Sequence, residues 1–190
     1  MYWKFQRRSY PPQKGDEKMA KKSRMKGFIG GLVQSMMVPV MEKAVVKQLK
    51  QNALDMADIL GDFAKAFYKK CGVDSLEVMR KAMDKQGKRM AGPMKAMCPG
   101  EDPVTVAKFF VQAINNFGLP LEIIEEKENE ARIKVPYCVH HLENTSRELC
   151  EAMMGADRRM IKTLCPKGKL VIEKTVAEGH PYCELVVKYE

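Results

Sequence analysis

The residues with the most chemical capacity crowd the last third of the chain. Four of the six cysteines and all three histidines lie after residue 137: Cys138, His140, His141, Cys150, Cys165, His180 and Cys183. Thiolate and imidazole groups bind borderline-soft metals, and Cys138, His140, Cys150 and Cys183 are the candidate ligands of a zinc ion. The spacing is irregular and contains no Cys-x-x-Cys pair, which excludes a zinc ribbon and a thioredoxin motif. Buried structural cysteines and exposed turn histidines account for the same pattern. One carboxylate joins the group. Positions 150, 154, 157 and 161 follow helical spacing, which puts Cys150, Met154 and Asp157 on one face. A carboxylate within hydrogen-bond reach of water serves as a general base when partial burial raises its pKa.

Methionine is the second unusual feature, with fifteen in 190 residues. Nine of them (36, 37, 41, 56, 79, 83, 90, 94 and 97) fall in the first part of the body. The flexible thioether suits a malleable core, an adaptable apolar pocket or a helix face buried in a homo-oligomer. For a pocket, Met79, Met83 and Met153, with His141 and His180, are the candidate ligand-binding residues. The chain has no phosphate-binding loop, His-Glu-x-x-His helix, dinucleotide fingerprint or Gly-x-Ser-x-Gly elbow. Nucleotide hydrolysis, zincin proteolysis and α/β-hydrolase chemistry are thereby disfavoured.

The elements that must position these groups fall into two halves. Residues 28–50 read as a first helix, with Pro39 as a kink or break. Met56, Leu60, Phe63 and Phe67 define a second helix, ending at Lys69-Lys70 with Gly72 as the stop. Asp74 with Glu77 is a capping-box pattern for a third, whose stripe is Leu76, Met79, Met83, Met90 and Met94 and which Gly92-Pro93 should bend or end. Asp102-Pro103 opens a fourth, with Ala107, Val111 and Ile114 on one face and a stop near Gly118. From Leu119 the period changes to two. Residues 121–125 and 131–135 alternate around the polar turn Lys127-Glu128-Asn129, a β-hairpin. Thr145 with Glu148 opens a helix carrying Leu149, Met153, Ala156, Met160 and Leu164, which Cys165-Pro166 ends. Strands at 170–176 and 182–189 follow, with Cys183, Leu185 and Val187 facing inward. The fold class is α+β: a helical half (27–118), then a ββ-α-ββ unit with an antiparallel sheet (119–190).

The net charge of +9 sits mainly in a tail. Residues 1–26 hold nine Lys/Arg and two acids, whereas the rest holds 24 basic and 22 acidic side chains. The nearly neutral body argues against a nucleic-acid partner; residues 1–26 read as a basic, disordered arm, and Met19 as an alternative start. The longest uncharged stretch, Gly27 to Met41, has 15 residues, short of the roughly 18 a membrane span needs. The expected setting is soluble and cytoplasmic, with reduced thiols.

The block Thr175-Val-Ala-Glu-Gly-His-Pro-Tyr-Cys183-Glu resembles the end of the L-2-amino-thiazoline-4-carboxylic acid hydrolase family and of the related 4-vinyl reductase (hydrocarbon-binding) domains. Asp157 and Cys183 are spaced like that family's aspartate and last cysteine, and Cys138 resembles its earlier strand-end cysteine. The resemblance spans approximately residues 50–190. Departures are His180 for the family's aspartate, Val139 for its proline, Met154 for a cysteine, and Thr175 at a position that is often cysteine. The resemblance implies a small-molecule-binding domain that hydrolyses a small cyclic amidine or amide, with Asp157, Cys183 and Cys138 as catalytic residues around a common cavity. The alternative is a non-enzymatic sensor or carrier of an apolar ligand.

Overall fold

Between Pro39 and Gly61 no residue breaks a helix, and the chain there runs without interruption as α1 (Gly27–Cys71), where two helices were expected. The computed structural model describes residues 27–190, with side chains from residue 43 on. The expected basic arm and the alternative start at Met19 lie outside the described residues. The chain divides into two units at Val45 and Val46. Of the first, the described part is the residue 27–45 stretch of α1; everything that follows concerns the second, residues 46–190. In that unit α1 turns Gly61 and Ala64 inward, while Leu49, Met56, Ile59 and Phe63 are exposed.

Gly72, with φ of +61°, ends α1, a conformation glycine adopts at no steric cost. Helix α2 (Asp74–Lys95) follows directly. Its expected capping box does not form: Asp74 is already helical, and Ser75 instead donates its hydroxyl to the Gly72 carbonyl at 2.6 Å. Pro93 is accommodated inside α2, two residues from its end at Lys95. Helix α3 (Pro103–Asn116) starts as its sequence dictates, with the Asp102 carboxylate accepting from the Thr105 N–H at 2.9 Å. Gly118, at φ +95°, carries the chain out of it.

The hairpin β1 (Glu122–Lys127) and β2 (Glu130–Val135) is joined by a two-residue turn. The helix expected from Thr145 is capped one residue later, where Ser146 accepts from the Leu149 N–H at 3.2 Å. It is interrupted at Met154, giving α4 (Arg147–Met153) and α5 (Gly155–Leu164). Both pieces keep one buried stripe: Leu149, Met153, Ala156, Met160 and Leu164. Strands β3 (Gly168–Lys174) and β4 (Cys183–Tyr189) complete an antiparallel sheet of order β1-β2-β4-β3. Thr175 and Val176 do not extend β3. They cap and open a short 3-10 turn, Val176–Glu178, closed by Gly179 at φ +86°.

The fold is therefore α+β, with the helices on one face of the sheet. Pairing sets Ile133, Leu185 and Ile172 side by side on that inner face, with Val135 beside Cys183 in the next row. The outer face is ionic: Glu184 is buried between Arg132 and Lys174, whose Nζ lies 2.8 Å from it. Behind α5, α2 approaches to glycine distance. A Cβ on Gly87 would meet the Ala156 carbonyl oxygen at 2.3 Å, and Met83 Cβ already faces Gly155. Gly87→Ala should overpack this backbone contact and destabilise the protein by about 1–3 kcal/mol. Gly92→Ala, in open space on the same helix, should be neutral or stabilising by up to about 1 kcal/mol. Urea denaturation of the two variants checks the contrast.

Candidate functional site

The inner face of the sheet is not fully covered at the end where β2 finishes and β4 begins. A cavity of about 240 Å³ lies there, bounded by Ile172, Cys183 and Leu185 from the strands and by Phe110 and Ile114 from α3. Cys150, Met153, Met154 and Asp157 line it from α4 and α5, and Ala57 from α1. The connection after β2 supplies Tyr137, Cys138, Val139, His140 and Leu142. That connection can lie against α1 because residue 61 is glycine: a Cβ there would stand 2.0 Å from the His140 carbonyl oxygen. His140 is fastened by its ring, with Nδ1 donating to the Ala57 carbonyl at 2.7 Å. Burial lowers its pKa, so the imidazole is neutral.

Asp157 is the one carboxylate on the lining, in the first turn of α5. The face predicted from residues 150, 154 and 157 survives the interruption at Met154, because that break costs no change in direction of the stripe. Burial pushes the Asp157 carboxyl up to about 6, opposed only by a hydrogen bond from its own backbone N–H. The thiols meet a different environment. The Val176 N–H donates to Cys183 Sγ (3.4 Å), Cys183 donates to the Thr175 hydroxyl (3.7 Å), and Thr175 donates to Cys150 Sγ (3.3 Å). Burial raises the Cys150 thiol to about 11 and moves Cys138 upward as well. Neither thiol has a cation beside it that would favour thiolate.

Of the residues singled out from the sequence, Cys138, Cys150, Asp157, Cys183, His140 and Met153 share this cavity wall. Met79 and Met83 do not. They lie on α2, Met79 in the core and Met83 against Gly155 at the helix–helix contact, away from the void. His141 is exposed, with Nε2 3.7 Å from Asp58. His180 lines a separate polar surface depression beside Glu143 and Asn144. Among the described residues no group of three or more His, Cys, Asp or Glu side chains is placed to hold a metal ion. Sequence reasoning missed Phe110, Ile114, Tyr137 and Ile172. Periodicity marks Phe110, Ile114 and Ile172 only as helix-face or strand residues without saying which border a void, and Tyr137 lies in the connection after β2, where no periodicity applies.

No family model matches the chain, and no curated protein matches it. Solved structures do match in fold. One is the phenol-responsive sensory domain of the transcription activator PoxR with phenol, 15% identical, with a TM-score of 0.54 over 70% of this chain and 74% of that one. Another is a trafficking protein particle complex subunit 3 from Naegleria fowleri covalently bound to palmitic acid. It is 13% identical, with a TM-score of 0.57 over 74% of this chain and 96% of that one. The chain shares their fold. Among the described residues no helix is long and apolar enough to cross a membrane.

The raised carboxyl of Asp157 has a consequence for stability. An aspartate held near 6 in the folded state, against 3.8 in the unfolded chain, binds its proton more tightly when folded. Its contribution is fully present below about pH 4 and is lost as pH rises through about 6. Asp157→Asn should therefore stabilise the protein at pH 7.5 by up to about 3 kcal/mol, with the difference vanishing near pH 4. Urea denaturation at the two pH values measures it, and equal stability at pH 7.5 would contradict the buried, unpaired state.

Proposed function

We propose that residues 46–190 form a ligand-binding domain that encloses one small, largely apolar molecule and acts as a sensor or carrier. The observation that carries this reading is the cavity itself: about 240 Å³ between the sheet and the helices, walled mainly by aliphatic, aromatic and thioether groups. Ligand sites have this character, concave and apolar with a few placed polar groups. A cavity of roughly 150 Å³ already accepts benzene, so a single-ring compound fits here. The two structural neighbours support the reading, one with phenol and the other with a palmitoyl chain. All six cysteines are free thiols, which suits the reducing cytoplasm.

Hydrolysis of a small cyclic amidine or amide is the second reading, and one observation favours it. A carboxyl near 6 beside a substrate-sized cavity is tuned for general base work near neutral pH. In that case Asp157 would activate water, while Cys138 and Cys183 would shape the site without attacking.

Thermal denaturation with increasing phenol tests the main reading. The melting temperature should rise in the native protein. In Ile114→Trp, whose larger side chain fills the void, it should stay unchanged. A melting temperature insensitive to phenol, p-cresol and toluene alike would count against a small apolar ligand. Release of product from a cyclic amidine, abolished in Asp157→Asn, would move the assignment to the hydrolase.

A further inference from the structure

Among the described residues Asp157 is the only charged side chain on the cavity wall. The two guanidinium groups next to it along α5 are engaged elsewhere. Arg158 donates to the Glu151 carbonyl at 3.3 Å and lies 3.7 Å from its carboxylate, and Arg159 binds Asp84 of α2 at 2.5 Å. Arg80, also on α2, pairs with Glu77. Across the void, the titratable groups are Tyr137, Cys138, His140, Cys150 and Cys183. Of these His140 is neutral and bound to Ala57, and burial keeps Cys138 and Cys150 protonated. Among the described residues no group thus supplies a positive charge to the carboxylate.

An ionised carboxylate half-buried against apolar walls gains from a partner of opposite charge. We propose that the occupant is a small monocation, a protonated primary amine on an apolar body of about one ring, with its nitrogen donating to the Asp157 carboxylate. This rests on the ligand-binding reading above and names its ligand class. A neutral hydroxyl would offer one hydrogen bond but would leave the negative charge on the cavity wall uncompensated. An ammonium group supplies charge and donors together, and such charge-assisted bonds are roughly twice as strong as neutral ones. The aliphatic and aromatic walls take the remainder of the molecule. An anionic ligand is disfavoured by the same carboxylate.

Calorimetric titration of the full chain with benzylamine, benzyl alcohol and benzoate tests the assignment. At pH 7.5 benzylamine should bind at least about tenfold more tightly than benzyl alcohol, the order of difference between charged and neutral hydrogen bonds, and benzoate weakest. Benzylamine stays protonated down to pH 5, where Asp157 takes up its proton, so the preference should fade there. Asp157→Asn should erase the preference while still binding benzyl alcohol. Benzyl alcohol binding as tightly as benzylamine at pH 7.5, or a preference that persists at pH 5 or in Asp157→Asn, overturns the cation assignment and leaves the cavity reading intact. Failure of all three probes to bind overturns both.

Discussion

Helices α4 and α5 have to satisfy two surfaces at once. Their stripe Leu149, Met153, Ala156, Met160 and Leu164 is buried, and from behind α2 holds α5 at glycine distance through Gly87 and Gly155. Backbone-to-backbone contact of that kind leaves no slack, since interiors are packed as densely as organic crystals. The helix pair is therefore unable to sink into the gap above Cys183 and Leu185. The face at 150, 153, 154 and 157 spans a void that the sheet and α3 do not fill. The stiffness of the α2–α5 contact is what keeps this apolar cavity open.

Two carboxylates show how differently this protein treats charge on the two sides of one sheet. Glu184 is almost wholly buried, yet Lys174 and Arg132 hold its pKa down. Its neighbours on the outer face, including Glu125 and Glu173, extend the network. That is a self-contained ionic layer covering Val186, and it asks nothing of a ligand. Asp157, half-buried and with no cation beside it among the described residues, has its pKa moved the opposite way. The chain holds 33 lysines and arginines, so a counter-charge was readily available to the sequence. Arg158 and Arg159, adjacent to Asp157, turn to Glu151 and Asp84 instead. A deficit maintained next to two committed cations belongs to a site more than to a flaw in the core.

The legible part of the molecule was what local chemistry dictates. Asp102-Pro103 announces a helix start because cap and proline act within one turn, and the period-two runs at 131–135 and 183–189 place strand faces without tertiary help. The shared face of Cys150 and Asp157 was readable for the same reason. Other features depend on partners distant in sequence. The 45-residue α1 reads as two helices, one over 28–50 and one from Met56, and Pro39 as a kink or break, whereas the helix runs on through both places. The box at Asp74 has the right letters, but Ser75 closes the turn first. Met79 and Met83 carry an apolar stripe that fits a pocket or a core equally well. Only the tight passage of α2 past Gly155 assigns Met83 to a helix–helix contact, while Met79 is buried in the core. The same holds for Gly61, whose role appears only when the His140 backbone arrives from far along the chain.

The cysteines bear on the choice between binding and bond-breaking. Cys183, Thr175 and Cys150 form a donor-to-acceptor chain that begins at the Val176 N–H, and Thr175 in turn accepts from the Ala177 N–H. The chain ties β4 and α4 to the 3-10 turn at Val176–Glu178, which makes these thiols fasteners of the cavity's floor. A nucleophilic thiol needs a neighbouring base or a positive field to become thiolate. Burial pushes Cys150 to about 11 and raises Cys138 too, while His140 gives its Nδ1 proton to Ala57. Covalent attack by Cys138 or Cys150 would have to work against its surroundings. What remains free to act is one carboxylate facing apolar walls. For a substrate with no suitably placed water, that arrangement can select and hold; with a water positioned beside Asp157 it could also hydrolyse. The balance between sensor and hydrolase therefore turns on water at one oxygen pair, not on the thiols that first drew notice in the sequence.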